Sequence, residues 1–98
     1  RAVAERSAVF ATDVERASFL KESDITEEIE RLEYHLKTFR QKLSAGGSVG
    51  KELDFIAQEM QRETNTMGGK SCDPAISGTV VDMKSQIEKM REQLQNIV

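Results

Sequence analysis

Aromatic residues are few. The chain has four phenylalanines, one tyrosine and no tryptophan, and Phe10, Phe19, Phe39, Phe55 and Tyr34 are too sparse for tight, stacking-based binding of RNA. Cysteine occurs once, as Cys72. That excludes an intrachain disulfide scaffold and a thiolate zinc site. With no histidine beside it, Cys72 reads as a free thiol without special duty, which fits a reducing cytoplasm. Charge of one sign is also lacking. Fourteen lysines and arginines face seventeen acids, for a net charge of −3, mixed through both halves. No basic field for tight nucleic-acid binding follows from that balance. The densest basic cluster, Lys37, Arg40 and Lys42, reads as a solvated helix face. No apolar run approaches the ~18 residues of a membrane span, and no signal peptide is visible. Strand alternation and internal repeats are missing as well.

What is present is helical periodicity. The 98 residues amount to one small domain or a piece of a larger protein. The chain begins at Arg1 already in helical phase, so we expect residues 1–22 to be a helical arm leading from a missing N-terminal domain. Residues 23–98 are then a C-terminal helical domain. Apolar residues make up 38%, a low share for a self-sufficient core, so burial against a partner chain is expected to help.

Four helices are predicted. The first, about 2–21, carries Val3, Phe10, Val14 and Ala17 on a thin stripe that Ser7 interrupts. Asp24 is placed as the N-cap of the second, with Glu27 at capping-box spacing. The second, about 25–44, has Ile25, Ile29, Leu32, Leu36, Phe39 and Leu43 at alternating steps of four and three, a heptad seam. Gly46 and Gly47 end it. Ser48 caps the third, whose seam runs Val49, Leu53, Ile56, Met60, Glu63, Met67 until Gly68 and Gly69 stop it. Asp73 and Pro74 open the fourth as N-cap and first helical residue. Its seam is Ile76, Val80, Met83, Ile87, Met90, Leu94 and Ile97. The fold class is therefore all-α: an antiparallel bundle of three heptad-patterned helices with a long N-terminal helical arm.

The seams dock in register. Folding the second and third helices about Ala45–Gly47 pairs Phe39 with Leu53, Leu36 with Ile56, Leu32 with Met60 and Ile29 with Glu63. Folding the fourth back pairs Glu63 with Val80, Met60 with Met83 and Ile56 with Ile87. The flanking positions then bring His35 beside Glu59 and Lys42 opposite Glu52. Glu63 occupies a seam position that calls for an apolar residue, and Glu59 lies one turn before it. A carboxylate on a core seam needs a cation, a donor or a metal.

Three strings, ITEEIERLEYHLKTF, VGKELDFIAQEMQRETNTMGGKS and VVDMKSQIEKMREQLQNI, resemble the C-terminal domain of the YicC-type endoribonuclease family. The likeness runs from about Asp24 to Ile97. The chain departs from the pattern at Gly69, where a serine is expected before Lys70, and it lacks the N-terminal domain such proteins carry. The resemblance implies a bacterial, cytoplasmic, homo-oligomeric nuclease that cleaves single-stranded RNA with a divalent metal, manganese or magnesium. It also implies that this piece alone is inactive.

Metal-assisted RNA cleavage needs carboxylates or histidine to hold the ion and cations for the charge that builds on phosphate. His35, Glu59 and Glu63 are the best catalytic and metal-ligand set that the docking offers. Arg31, one turn before His35, is placed to clamp a phosphate, with Arg62, Asn65, Arg91 and Gln95 as further substrate contacts. Each has a bland alternative. Glu63 pairs with Arg31, Arg62 or Arg91 as a buried ion pair that sets register. His35 hydrogen-bonds to Glu59 without catalytic duty, and the methionines are core fillers. Gly68–Ser71 is not a phosphate-binding Walker loop, since it lacks the spacing and no strand precedes it. Three functions stay open: an endoribonuclease domain, a structural oligomerisation module, and an RNA-binding adaptor without chemistry.

Overall fold

The computed structural model describes residues 2–20, 25–71 and 73–97. Expectations for Asp24, Cys72 and the side chain of Ile97 lie outside the described residues. Among the described residues there are four α-helices and no strand: α1 (Ala2–Leu20), α2 (Thr26–Ala45), α3 (Gly50–Lys70) and α4 (Pro74–Ile97). The bundle measures 40 × 19 × 18 Å.

Each helix packs on two neighbours, α1 on α2 and α4, and α3 on α2 and α4, while the backbones of the diagonal pairs stay apart. Lys42 reaches Glu52 and Lys70 reaches Glu28, so α2 and α3 run antiparallel. Asp54 meets Arg91, and Gly68 lies against Val80, so α3 and α4 do the same. This is a four-helix, up-down-up-down arrangement. The Lys42–Glu52 contact is the one the heptad phase predicts. All the described seam residues of α2 and α4 are buried except Leu43, which is half-buried and packs on the core.

The projecting arm is corrected. Val3, Phe10, Val14 and Ala17 are all buried, and α1 lies along α4. The interruption by Ser7 is apparent only. Positions 3, 7, 10, 14 and 17 alternate four and three, and Ser7 sits buried in that seam because its hydroxyl donates to the carbonyl of Ala4 at 2.8 Å. A serine satisfied by its own helix does not break an apolar stripe.

Two helix ends also differ from expectation. Gly68 and Gly69 do not stop α3, which continues to Lys70 and closes with the Ser71 N–H on the Met67 carbonyl at 3.1 Å. The residue flanking its start is Val49 rather than Ser48, with no side-chain cap. A Cβ on Gly68 would meet Val80 Cγ1 at 3.2 Å, so this glycine serves close helix packing rather than termination. Gly46 and Gly47 do end α2, at φ of 77° and 83°, where side-chain-bearing residues are strained. Asp73 caps α4 through its Oδ1, which accepts from the Ala75 N–H at 2.9 Å.

Candidate functional site

The charged side chains of α2 and α3 gather where the start of α2 meets the end of α3. Glu63 reaches the α2 side of its seam, where Arg31 Nε donates to Oε2 at 3.0 Å. The same guanidinium contacts Glu28 at 3.5 Å and Glu27 at 3.8 Å. Glu28 is fully buried, and Lys70 Nζ donates to its Oε2 at 2.9 Å. Burial pushes the Glu28 carboxyl up. The hydrogen bond and charge of Lys70, a bond from its own backbone and the charge of Arg31 outweigh that, so the group sits below its ordinary value. Arg31 is held above its ordinary value, chiefly by the hydrogen bond to Glu63. Glu28 Oε1 is buried with no hydrogen-bond partner.

Glu59 does not meet His35. It is bridged at 3.2 Å by Arg62, one turn on along α3. His35 is half-buried, with its ring edge-on to Tyr34 at 5.6 Å. The expected hydrogen bond between His35 and Glu59 is not formed; Glu59 is engaged by the i,i+3 arginine instead. Among the described residues, no group of three or more histidine, cysteine, aspartate or glutamate side chains is arranged to hold a metal ion. His35, Glu59 and Glu63 are thus on one side of the α2–α3 pair but are not drawn together, and Arg31 is engaged by three carboxylates.

The other substrate candidates do come together. Arg62, Asn65 and Arg91 line one open groove between α3 and α4, with Gln58, Gln61 and Thr66, and its volume is about 500 Å³. Every lining side chain is polar. Arg91 anchors the far wall: Nε donates to Asp54 Oδ1 at 2.9 Å and Nη1 to Gln61 at 3.1 Å. Gln58 donates to the other Asp54 oxygen at 3.0 Å. The hydrogen bond from Arg91, ahead of the opposing effect of burial, holds the Asp54 carboxyl below its ordinary value. Gln95 lies in a separate hollow further along the α3–α4 seam, with Gly50, Lys51, Asp54 and Leu94.

Sequence reasoning missed Glu28, Lys70, Asp54 and Gln61. Glu28 lies three residues after Ile25 and four before Leu32, a spacing that puts it at the edge of the α2 seam and marked it in principle. Asp54 and Gln61 each follow a seam residue of α3. Nothing local distinguishes them from ordinary surface groups until α4 brings Arg91 across.

The family model described as "Endoribonuclease YicC-like, C-terminal" matches residues 4–98. The chain is 47% identical over 83 residues to the protein named "Probable endoribonuclease YicC" of Clostridioides difficile (strain 630), covering 85% of this chain and 28% of that protein. It is 46% identical over 74 residues to the protein of the same name from Haemophilus influenzae (strain ATCC 51907 / DSM 11121 / KW20 / Rd), covering 76% of this chain and 26% of that one. The chain therefore spans about a quarter of the length of these curated relatives.

Proposed function

The chain belongs to the YicC-like endoribonuclease family, to its C-terminal part, and from this premise we propose that it supplies the RNA-contacting helical domain of an endoribonuclease that cleaves single-stranded RNA. The observation that carries the reading is the α3–α4 groove. Arg62, Asn65 and Arg91 line it together with three more polar side chains. Guanidinium groups suit the charge that develops on a phosphodiester, and amides suit its backbone and base edges. Arg62 is largely exposed and contacts Glu59 through Nη1 alone, so its other N–H groups face no protein acceptor among the described residues.

His35 stays in this reading as a general base, the role open to a half-buried imidazole. A divalent ion, manganese or magnesium, enters through the family likeness. The donor set of this chain does not fit a closed metal centre, since Arg31 and Arg62 occupy the carboxylates that would ligate it. A homo-oligomer is part of the same reading. A hollow of about 960 Å³ between α1 and α2 is floored by Ala11, Val14 and Leu36 beside the exposed Phe19 and rimmed by charged side chains, a surface suited to cover.

The test is to incubate full-length protein with end-labelled single-stranded RNA, with manganese or with chelator, and to repeat it with Arg62→Ala and His35→Ala. Internal cleavage that both variants impair supports the reading, and the chelator arm tells whether a divalent ion held elsewhere in the full-length protein takes part. Cleavage that is untouched by both variants removes this domain from the chemistry. The absence of cleavage, with RNA still bound, favours the adaptor reading.

A further inference from the structure

The outer face of α3 carries an aromatic side chain that the bundle does not use. Phe55 is 62% exposed, whereas Asp54 before it binds Arg91 and Ile56 after it is buried. Helical spacing puts Lys51 one turn before Phe55, Gln58 one turn after and Arg62 two turns after, all on one face and all exposed. Lys51 has no ion-pair partner among the described residues. The acids nearest this face are each held by a base: Glu52 by Lys42, Asp54 by Arg91 and Glu59 by Arg62. What remains is a phenyl ring between Lys51, which carries no ion pair, and the exposed guanidinium of Arg62, which Glu59 engages through Nη1 alone, in a strip that spans ~16 Å of helix. One end of the strip joins the polar groove, and the other joins the hollow that holds Lys51 and Gln95.

We propose that Phe55 is a stacking platform for one base of single-stranded RNA, with Lys51 and Arg62 holding the phosphates on either side. The proposal rests on the RNA reading above and adds the subsite. Stacking accepts any base, because every base has a π-face, so the strip recognises an unpaired strand rather than a sequence. A duplex, with its bases already stacked on one another, offers no face to Phe55. The other exposed rings are less suited. Tyr34 packs on His35, and Phe19 lines a hollow where the charges of Lys37 and Arg40 are matched by Glu15 and Glu33.

The experiment measures fluorescence anisotropy of full-length protein with two labelled probes at low salt. One is a single-stranded 2′-O-methyl oligoadenylate, and the other is an abasic ribose–phosphate oligomer of equal length. Phe55→Ala keeps the helix, since alanine is the better helix former. It is expected to weaken oligoadenylate binding about tenfold and leave the abasic oligomer unchanged, with Phe55→Tyr close to wild type. Lys51→Ala is expected to weaken both probes. Oligoadenylate affinity unchanged in Phe55→Ala, or an equal loss on both probes, overturns the stacking role while the RNA reading stands. Failure of the wild-type protein to bind either probe overturns the RNA reading, and the subsite with it.

Discussion

Arg31 Nε donates to Glu63 Oε2 at 3.0 Å, across the α2–α3 seam, and the same guanidinium is shared with Glu28 and Glu27. This decides what a leucine at position 63 does. Arg31 is about half exposed and keeps two other acids, so removing Glu63 leaves no stranded buried cation. Leucine fills a seam site between Met60 and Met67, both fully buried. Glu63→Leu is therefore expected to raise the melting temperature, by about 1 kcal/mol of stability, while full-length enzyme loses cleavage if the carboxylate acts in chemistry. Thermal denaturation and an RNA cleavage assay read the two effects separately. A lower melting temperature with cleavage intact makes Glu63 a structural ion-pair member only.

Glu28 gives a pH-dependent counterpart. Its folded carboxyl lies below the ordinary value of 4.5. A lowered carboxylate contributes stability that is present above the unfolded pKa and is lost as pH falls through the folded one. Lys70→Met removes the 2.9 Å donor from a buried anion. The loss is expected to be about 1–2 kcal/mol at neutral pH, moderated because Lys70 is partly exposed. The gap from wild type is expected to narrow below pH 4.5, as Glu28 takes a proton in either protein. A gap that is constant with pH would assign the effect to packing of the lysine stem.

Asp13 has the opposite sign. It is buried in α1, its Oδ2 has no hydrogen-bond partner, and burial, helped by the charge of Asp82 and opposed by that of Arg16, lifts its carboxyl above the ordinary 3.8. As pH rises past 3.8 the unfolded chain releases this proton first, so the folded state loses stability up to the folded pKa and carries the deficit at neutral pH. Asp13→Asn is expected to melt higher than wild type at pH 7, by about 1 kcal/mol, with the advantage gone below the unfolded value. Paired melts across that range check it. An Asn variant that is less stable at neutral pH shows that the 3.3 Å contact with Arg16 matters more than desolvation.

How far the sequence was legible depends on whether a residue's partner was local. The seams of α2, α3 and α4, and the register that sets Lys42 on Glu52, follow from heptad phase carried across a short glycine turn. The docking of α1 was hidden by Ser7, whose polarity is cancelled by a carbonyl three residues back in its own helix. Gly68 and Gly69 look like a stop signal, and only the approach of Val80 shows that one of them is a packing residue. In the site, Arg62, Asn65 and Arg91 were legible as polar groups off the apolar seams. The pairing expected of His35 with Glu59 does not form, because heptad phase brings positions near each other without choosing between a facing histidine and an arginine one turn along. Glu28, Asp54 and Lys70 acquire their character only from the facing helix.

The glycine pair separates these two causes directly. Nothing lies within 4 Å of a Cβ on Gly69, so Gly69→Ala is expected to stabilise α3 by about 0.5–1 kcal/mol. At Gly68 the same propensity gain is opposed by Val80 Cγ1 at 3.2 Å. Gly68→Ala is expected to be neutral or destabilising, and Gly68→Ala with Val80→Ala to lose that clash. Denaturant midpoints of the four proteins decide it. Equal gains at both glycines would mean that the α3–α4 spacing relaxes freely.

Arg62 and Arg91 line one groove but differ in what holds them, and the difference predicts different phenotypes. Arg62 is largely exposed, and its one partner, Glu59, lies on its own helix. Removing it is expected to leave the melting temperature within about 0.5 kcal/mol of wild type. If it contacts a phosphate, the slope of log affinity against log salt on single-stranded RNA falls by ~0.7, the share of one neutralised phosphate. Arg91 ties α4 to α3 through Asp54 and Gln61, so Arg91→Ala leaves a half-buried carboxylate without its charged partner. It is expected to lower stability by about 1–2 kcal/mol, in addition to any loss of RNA affinity. The Asp54 carboxyl then rises toward its ordinary value, so the destabilisation is expected to fade in acid. Salt titrations of RNA binding and melts at two pH values check both halves. An Arg62→Ala protein with an unchanged salt slope would take Arg62 out of the phosphate contacts and leave the groove to Arg91 and its amide neighbours.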